Sequence, residues 1–152
     1  MAATLVPSDF FNPAAVRRHL SEVAEVADTD KVFSVEVPQY GAYMIYSVSG
    51  GDGGSLPDLF YVLRQLPKCP EYNKIVVSYR DSTLSLGIAQ GSTLLLANEY
   101  VAADFTTAQY FIFLALKSLQ LNPEVSTVNL LTRLPREDEM SLYRYFKGVE
   151  NV

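Results

Sequence analysis

Three short apolar segments follow one another within residues 74–100 (KIVVSYRDSTLSLGIAQGSTLLLANEY), and few charges lie between them. Residues 75–77 are continuously apolar, as expected for a strand that is covered on both faces. Residues 84–88 alternate between large and small side chains, which predicts a strand with one buried face. The Gln-Gly pair at residues 90–91 predicts a tight hairpin turn before a third strand. The segment therefore predicts an antiparallel meander of three strands.

The residues after this meander predict a helix, a strand and a second helix. Asp104 or Thr106 is expected to cap a helix that runs to about Leu121, and its abundant apolar residues predict a central, mostly buried helix. Residues 125–132 predict a strand, and a last helix starts after Pro135 with three carboxylates in its first turn. The order β-β-β-α-β-α, with a crossover helix that returns to the sheet, is that of a ribonuclease H-like α/β unit.

The N-terminal part of the chain is predicted to contain a helix in residues 5–26, strands at 32–37 and 41–48, and a helix at 57–66. Asn12 is suited to cap the first helix, because proline follows it. The glycine-rich segment SGGDGGS (residues 49–55) predicts a surface loop. We predict two parts, an N-terminal helical segment in residues 1–30 and a ribonuclease H-like domain in residues 31–152.

The composition limits the classes of partner and the compartment. Of 152 residues, 49% are hydrophobic and 19% are charged, which is typical of a globular protein. The net charge of −5 argues against a surface for nucleic acid or anionic membrane. No apolar run is long enough to cross a bilayer, and no signal peptide is evident. The single cysteine excludes an internal disulfide, so we expect a cytoplasmic protein.

The C-terminal residues 94–152 resemble the end of a bacterial family of unknown function with an actin-like ATPase fold. The resemblance rests on a strand ending in Asn-Glu-Tyr, a helix ending in Leu-Gln-Leu-Asn-Pro-Glu, and an apolar strand after it. Residues 4–11 (TLVPSDFF) resemble a segment from the middle of that family. The resemblance implies that this chain corresponds to the second ribonuclease H-like half and to the tail of the first.

The same resemblance implies two glycine signatures for nucleotide binding, and both are absent. Ser78, Tyr79 and Arg80 stand where an Asp-x-Gly phosphate clamp is expected, and residues 132–135 (TRLP) stand where a Gly-Gly adenosine turn is expected. We therefore predict no catalytic residue, no metal and no cofactor. The interpretation is a non-catalytic pseudo-ATPase module that acts through protein–protein interaction. The alternative is the second half of a nucleotide-binding ATPase whose missing N-terminal half supplies the clamp.

Two arginines are candidates for an anion or partner contact. Arg80 and Arg133 follow the first and fourth predicted strands of the unit, which are expected to be neighbours. The alternative is a pair of surface arginines beside acidic turns. Four carboxylates could be read as a two-metal nuclease site, but they fit turn and cap positions better; they are Asp81, Glu99, Asp104 and Asp138.

The remaining polar signals are interpreted as structural. His19 is expected to be solvent-exposed, Cys69 to be an inert thiol, and the glycines at residues 50–54 to be a loop without phosphate-binding function. Ten tyrosines and eight phenylalanines predict a well-filled core together with a protein contact surface. We expect a protein partner or self-association, the latter through an open strand edge in residues 1–48.

Overall fold

A computed structural model describes residues 2–49 and 55–152 of the chain. The predicted loop at residues 50–54 lies outside the described residues. The chain divides into two compact units, Met1–Tyr61 and Val62–Val152. Within the described residues, no helix is long and apolar enough to cross a membrane.

The described residues of the first unit form a three-stranded antiparallel sheet, a short helix and the start of a second helix. Its elements are β1 (Ala3–Pro7), α1 (Val16–Ser21), β2 (Lys31–Val37) and β3 (Ala42–Val48). The strand order is β1-β3-β2, so β3 pairs with a strand on each side. The strand pair predicted for residues 32–37 and 41–48 is confirmed. Strand β3 is paired on both sides, whereas β2 lies at an edge of this three-stranded sheet. Self-association through an open strand edge in residues 1–48 stays a prediction.

The N-terminal helix is much shorter than predicted. Asn12 does act as a cap, since its side chain accepts a hydrogen bond from the backbone N–H of Ala14. The cap opens a short 3-10 helix, and α1 then ends at Ser21. Val23 is 66% exposed, so the apolar stripe does not continue against the sheet. Residues 3–7 are instead extended because they pair with β3. This pairing outweighs the weak helical preference at the start of the predicted helix region.

The second unit contains a five-stranded mixed sheet with helices. Helix α2 (Asp58–Gln65) spans the boundary between the two units. The elements that follow it are β4 (Asn73–Arg80), β5 (Thr83–Gln90), β6 (Thr93–Val101), α3 (Phe105–Ser118), β7 (Thr127–Leu130), α4 (Arg136–Tyr143) and β8 (Gly148–Asn151). The strand order is β6-β5-β4-β7-β8. Strands β4, β5 and β6 are antiparallel, whereas β7 runs parallel to β4 and β8. The predicted order β-β-β-α-β-α is confirmed, and β8 is an additional strand that no sequence pattern predicted.

One hydrophobic core joins this sheet to α3 and α4. Ile112 from α3, Leu142 from α4 and Ile75 from β4 are fully buried in it. Strand β5 is buried on both faces, contrary to the prediction of one buried face. The small residues on its second face leave room for α2 and the turn after it, since a Cβ at Gly87 would lie 2.8 Å from both Leu66 Cδ1 and Val62 Cγ1.

Helix α3 ends in a Schellman motif, although the residue in the left-handed position is not glycine. Gln120 has φ 58°, and its backbone N–H donates to the carbonyl of Lys117. The N–H of Leu121 donates to the carbonyl of Leu116 at 2.9 Å. These two bonds reverse the chain and place Leu121 beside Leu116, as this motif does at many helix ends.

Candidate functional site

The carboxyl ends of β4 and β7 meet at one edge of the sheet. The two strands are parallel, with Val77 opposite Leu130. Two residues further on, the backbone N–H of Tyr79 donates to Thr132 Oγ1 at 2.9 Å, and the Thr132 hydroxyl donates to the Tyr79 carbonyl at 3.3 Å. The Thr132 side chain therefore satisfies both backbone groups of Tyr79. This edge is where the phosphate and adenosine signatures were expected.

The turn between β4 and β5 is built without glycine. Asp81 and Ser82 both have left-handed backbone angles, with φ of 51° and 56°. The Ser82 carbonyl accepts a bond from the N–H of Ala102, and the Asp81 carbonyl accepts one from the Thr83 hydroxyl. Every residue of this turn thus carries a side chain, and both carbonyls of the central pair are bonded within the protein.

The Tyr79 side chain fills the space beside this turn. Its hydroxyl donates to the Ala102 carbonyl at 2.7 Å, and its ring packs against Phe105 with the centroids 5.7 Å apart. Burial raises the pKa of the Tyr79 phenol, and the carboxylates of Asp104 and Asp138 raise it further. The two carboxylates make the immediate neighbourhood of the Tyr79 hydroxyl unfavourable for a phosphate.

The four candidate carboxylates occupy separate structural positions. Asp104 caps α3, and bonds from Thr107 lower the pKa of its carboxyl group. Burial, followed by the nearby Glu137 carboxylate, raises the pKa of Asp138 in the first turn of α4. Glu99 lies on β6 and accepts a bond from the Ser85 hydroxyl, while Asp81 lies in the β4–β5 turn. In the part of the chain that the structure describes, no group of three or more His, Cys, Asp and Glu side chains could hold a metal ion.

The structure brings the two candidate arginines to the same end of the sheet. Arg80 is the last residue of β4, and Arg133 directly follows Thr132, which is bonded to Tyr79. Both arginines are exposed. Their placement follows from the parallel pairing of β4 and β7, as the order of elements suggested. Their role as an anion or partner contact stays a prediction.

His19 and Cys69 are enclosed rather than available for chemistry. His19 is half-buried, and its Nε2 atom is buried with no hydrogen-bond partner among the described residues. The expectation of a solvent-exposed histidine is therefore wrong, because α1 packs against β2 and β3. Cys69 is buried; burial and the Glu71 carboxylate raise the pKa of its thiol, whereas Lys74 lowers it. A thiol with a raised pKa is a poor nucleophile.

Helix α3 has two apolar faces, and only one of them is buried. Ile112 and Leu116 lie in the core. Tyr110, Phe113, Leu114 and Lys117, which we call the outer face of α3, recur at the spacing i, i+3, i+4 and i+7 and so share one side of the helix. Tyr110 is 62% exposed and Leu114 is 48% exposed. The prediction of a mostly buried helix is therefore wrong.

Helix α4 covers only one flank of α3. The Phe113 ring contacts Tyr145 at a centroid distance of 4.9 Å and Phe146 at 5.7 Å. The Ser141 hydroxyl donates to Gln109 Oε1 at 2.9 Å. Tyr110 and Leu114 remain exposed beside these contacts.

A groove of about 480 Å³ continues the outer face at the C-terminal end of α3. It is lined by Phe113, Leu116, Lys117, Gln120, Leu121, Asn122 and Pro123. Sequence analysis missed this surface, because it treated all apolar residues of the helix as core. The spacing did contain a signal: the positions of the outer face lie on the other side of the helix from Ala108, Ile112 and Ala115.

The second unit has the sheet order and crossover helix of a ribonuclease H-like unit, and the whole chain has the fold class of the actin-like ATPases. Over 99% of its length it is similar to the crystal structure of a protein from Bacteroides thetaiotaomicron, which is described as having an actin-like ATPase fold and unknown function. The TM-score is 0.80 and the sequence identity is 14%, so this likeness shows the fold alone. The chain spans 64% of the length of that protein.

Residues 56–149 match a family of proteins of unknown function, DUF3822, and the chain belongs to this family. No curated protein matches the chain.

Proposed function

We propose that this chain is a non-catalytic protein-binding module built on an actin-like ATPase fold. The observation that carries the proposal is the outer face of α3, where Tyr110 and Leu114 point into solvent on a helix whose other side forms the core. Aromatic side chains are enriched at protein interfaces, because they bury a large area with few rotatable bonds. An exposed apolar strip at helical spacing is suited to a partner that packs along the helix.

The edge at the ends of β4 and β7 supports the non-catalytic part of the proposal. A phosphate clamp requires backbone N–H groups that face open space beside residues without a Cβ. Here the Tyr79 N–H is bonded to Thr132, and the turn that follows contains Arg80, Asp81 and Ser82. The alternative function, nucleotide binding with a clamp from another segment, does not require an open backbone here, but the occupied Tyr79 amide offers it no additional contact. Arg80 and Arg133 are proposed as a secondary contact for a partner carboxylate.

The first prediction is that this chain does not bind Mg-ATP usefully. We expect isothermal titration calorimetry to give no dissociation constant tighter than about 100 μM, which corresponds to about −5.5 kcal/mol. The physical reason is that Thr132 occupies the Tyr79 amide and the turn that follows lacks glycine, so this edge offers a phosphate few backbone donors in exchange for its lost hydration. Tighter binding that is weakened by Arg80→Ala would assign nucleotide contact to this edge and contradict the proposal.

The second prediction concerns the outer face of α3 in the cell. A photoreactive benzoylphenylalanine at position 114 is expected to give one or a few discrete crosslinked products in cells that naturally produce the protein. The matched control is the same residue at position 68. Lys68 is also exposed, but it follows Leu66, which packs on the sheet face opposite α3.

The two positions separate a specific contact from random collision. Products at position 114 that are missing at position 68 would support the proposal. Equal product patterns at both positions, or no product at either, would contradict it. Crosslinking is suited to this question because it does not require the partner to be known in advance.

A further inference from the structure

The groove at the C-terminal end of α3 indicates what kind of partner fits the outer face. We propose that it binds an acidic amphipathic helix of another protein, with apolar side chains against Phe113 and Leu121 and carboxylates beside Lys117. This inference rests on the proposed function, since it concerns the same surface. It specifies that the partner is acidic and helical.

The apolar part of the surface has the size of about two helical turns. From Tyr110 to Lys117 the outer face extends roughly 10 Å along the axis, at 1.5 Å per residue. The groove then adds Leu121 and Pro123, which the Schellman motif turns back beside Leu116. This strip is long enough for the i, i+3, i+4 and i+7 side chains of a partner helix.

The backbone at this end of α3 is already satisfied. The carbonyls of Ala115, Leu116 and Lys117 accept bonds from Leu119, Leu121 and Gln120 respectively, and the Ser118 hydroxyl also donates to Ala115. These three carbonyls are therefore not free acceptors for a cationic or amide-rich ligand. We expect recognition to depend on apolar contact and on the side chains of Lys117 and Gln120, which line the groove.

The charge that the groove lining carries is positive, although the chain as a whole carries a net charge of −5. Lys117 is the charged residue among the seven that line the groove. Lys147 is exposed, and its backbone N–H donates to the carbonyls of Pro123 and Ser126. Glu124, the carboxylate that follows Pro123 in the sequence, is not among the lining residues, so the groove itself carries the single positive charge of Lys117.

This charge pattern favours a different protein over a second copy of the chain. In a two-fold symmetric contact, each side would present the same patch to its partner. Both facing patches would then carry the positive charge of Lys117, and like charges at an interface oppose binding. An acidic helix would neutralise the same positive charge, so charge complementarity and apolar contact would act together.

The test compares two designed peptides of about 16 residues, a length at which helix formation in water becomes practical. Both carry leucines at i, i+3, i+4 and i+7; one has glutamate and the other lysine at most remaining positions. Fluorescence anisotropy at about 0.15 M salt, where charges are screened beyond roughly 8 Å, measures binding to the full chain. We expect the glutamate peptide to bind with a dissociation constant of about 10–100 μM and the lysine peptide at least about tenfold more weakly.

Two charge reversals locate the contact. Lys117→Glu is expected to weaken binding of the glutamate peptide by about tenfold or more, in line with loss of an interfacial charge contact. Lys68→Glu changes the net charge of the protein by the same amount as Lys117→Glu, but it lies near Leu66, which packs on the other face of the sheet. It is expected to change the dissociation constant of the glutamate peptide less than about twofold. Circular dichroism melting confirms that each variant is folded, and Lys147→Glu replaces Lys117→Glu if the latter is not.

Several results would overturn the inference. These are equal binding of the two peptides, equal effects of the two charge reversals, or no binding of the glutamate peptide below about 1 mM. Binding to phosphatidylserine vesicles that Lys117→Glu abolishes, without peptide binding, would assign the surface to a membrane instead. A concentration-dependent dimer that Leu114→Ser dissociates would assign it to a second copy. Crosslinking at position 114 without a preference for the acidic peptide would leave the proposed function standing and refute the acidic partner alone.

Discussion

Replacement of Ile112 by alanine is expected to lower the free energy of unfolding by about 2–5 kcal/mol. Ile112 is fully buried in the core between α3 and the sheet. The loss combines the transfer free energy of the removed carbon atoms with the cavity that they leave in a closely packed interior. Total domain stability is about 5–15 kcal/mol, so the variant could be largely unfolded at physiological temperature. Urea titration followed by circular dichroism measures the change.

Leu114→Ala is the matched control on the same helix. Leu114 lies two residues after Ile112, but it is 48% exposed on the outer face of α3. Its replacement is expected to cost less than about 1 kcal/mol, because little buried area is lost. A larger cost for Leu114→Ala than for Ile112→Ala would mean that the helix presents its other side to the sheet. The description of the outer face would then be wrong.

Replacement of Gly87 by alanine is expected to destabilise the protein by about 1–3 kcal/mol through overpacking. An added Cβ would lie 2.8 Å from Leu66 Cδ1 and 2.8 Å from Val62 Cγ1. Both of these side chains are fully buried, so neither can move away without disturbing its own neighbours. The cost therefore comes from the second face of β5, which the sequence pattern did not predict to be covered. Urea titration again provides the measurement.

A double-mutant cycle with Leu66→Ala tests this explanation. Leu66→Ala removes the Cδ1 atom that an added methyl group would meet, while Val62 Cγ1 stays 2.8 Å from that group. Gly87→Ala is therefore expected to cost less in that background, although part of its cost remains. The expected coupling free energy is about 0.5–3 kcal/mol, as for residues in direct contact. Additive effects of the two substitutions would show that the cost of Gly87→Ala does not arise from contact with Leu66.

The strand-end edge was partly predictable from sequence, whereas the surface on α3 was not. Arg80 and Arg133 follow two strands that a crossover helix makes parallel, so their meeting at one edge follows from the order of elements. The bonds that close this edge, from Tyr79 to Thr132 and to Ala102, depend on side-chain positions in three separate segments. The outer face of α3 was missed because composition does not reveal which side of an apolar helix meets a sheet.

The amino-acid sequence was sufficient for features that arise within one segment. Caps at Asn12 and Asp104 and the turn at Gly91 depend on local backbone chemistry, and strand periodicity is local as well. The absence of glycine at residues 78–80 and 132–135 is likewise evident from the amino-acid sequence.

The features that depend on distant segments emerged in the tertiary structure. Residues 3–7 form a strand because β3 pairs with them, and β8 has four residues that become a strand beside β7. The exposure of Tyr110 is decided by which side of α3 meets the sheet, and the burial of both faces of β5 follows from the packing of Leu66 near Gly87. In each case the conformation is stabilised by contacts between residues far apart in the chain. Local propensity does not encode such contacts.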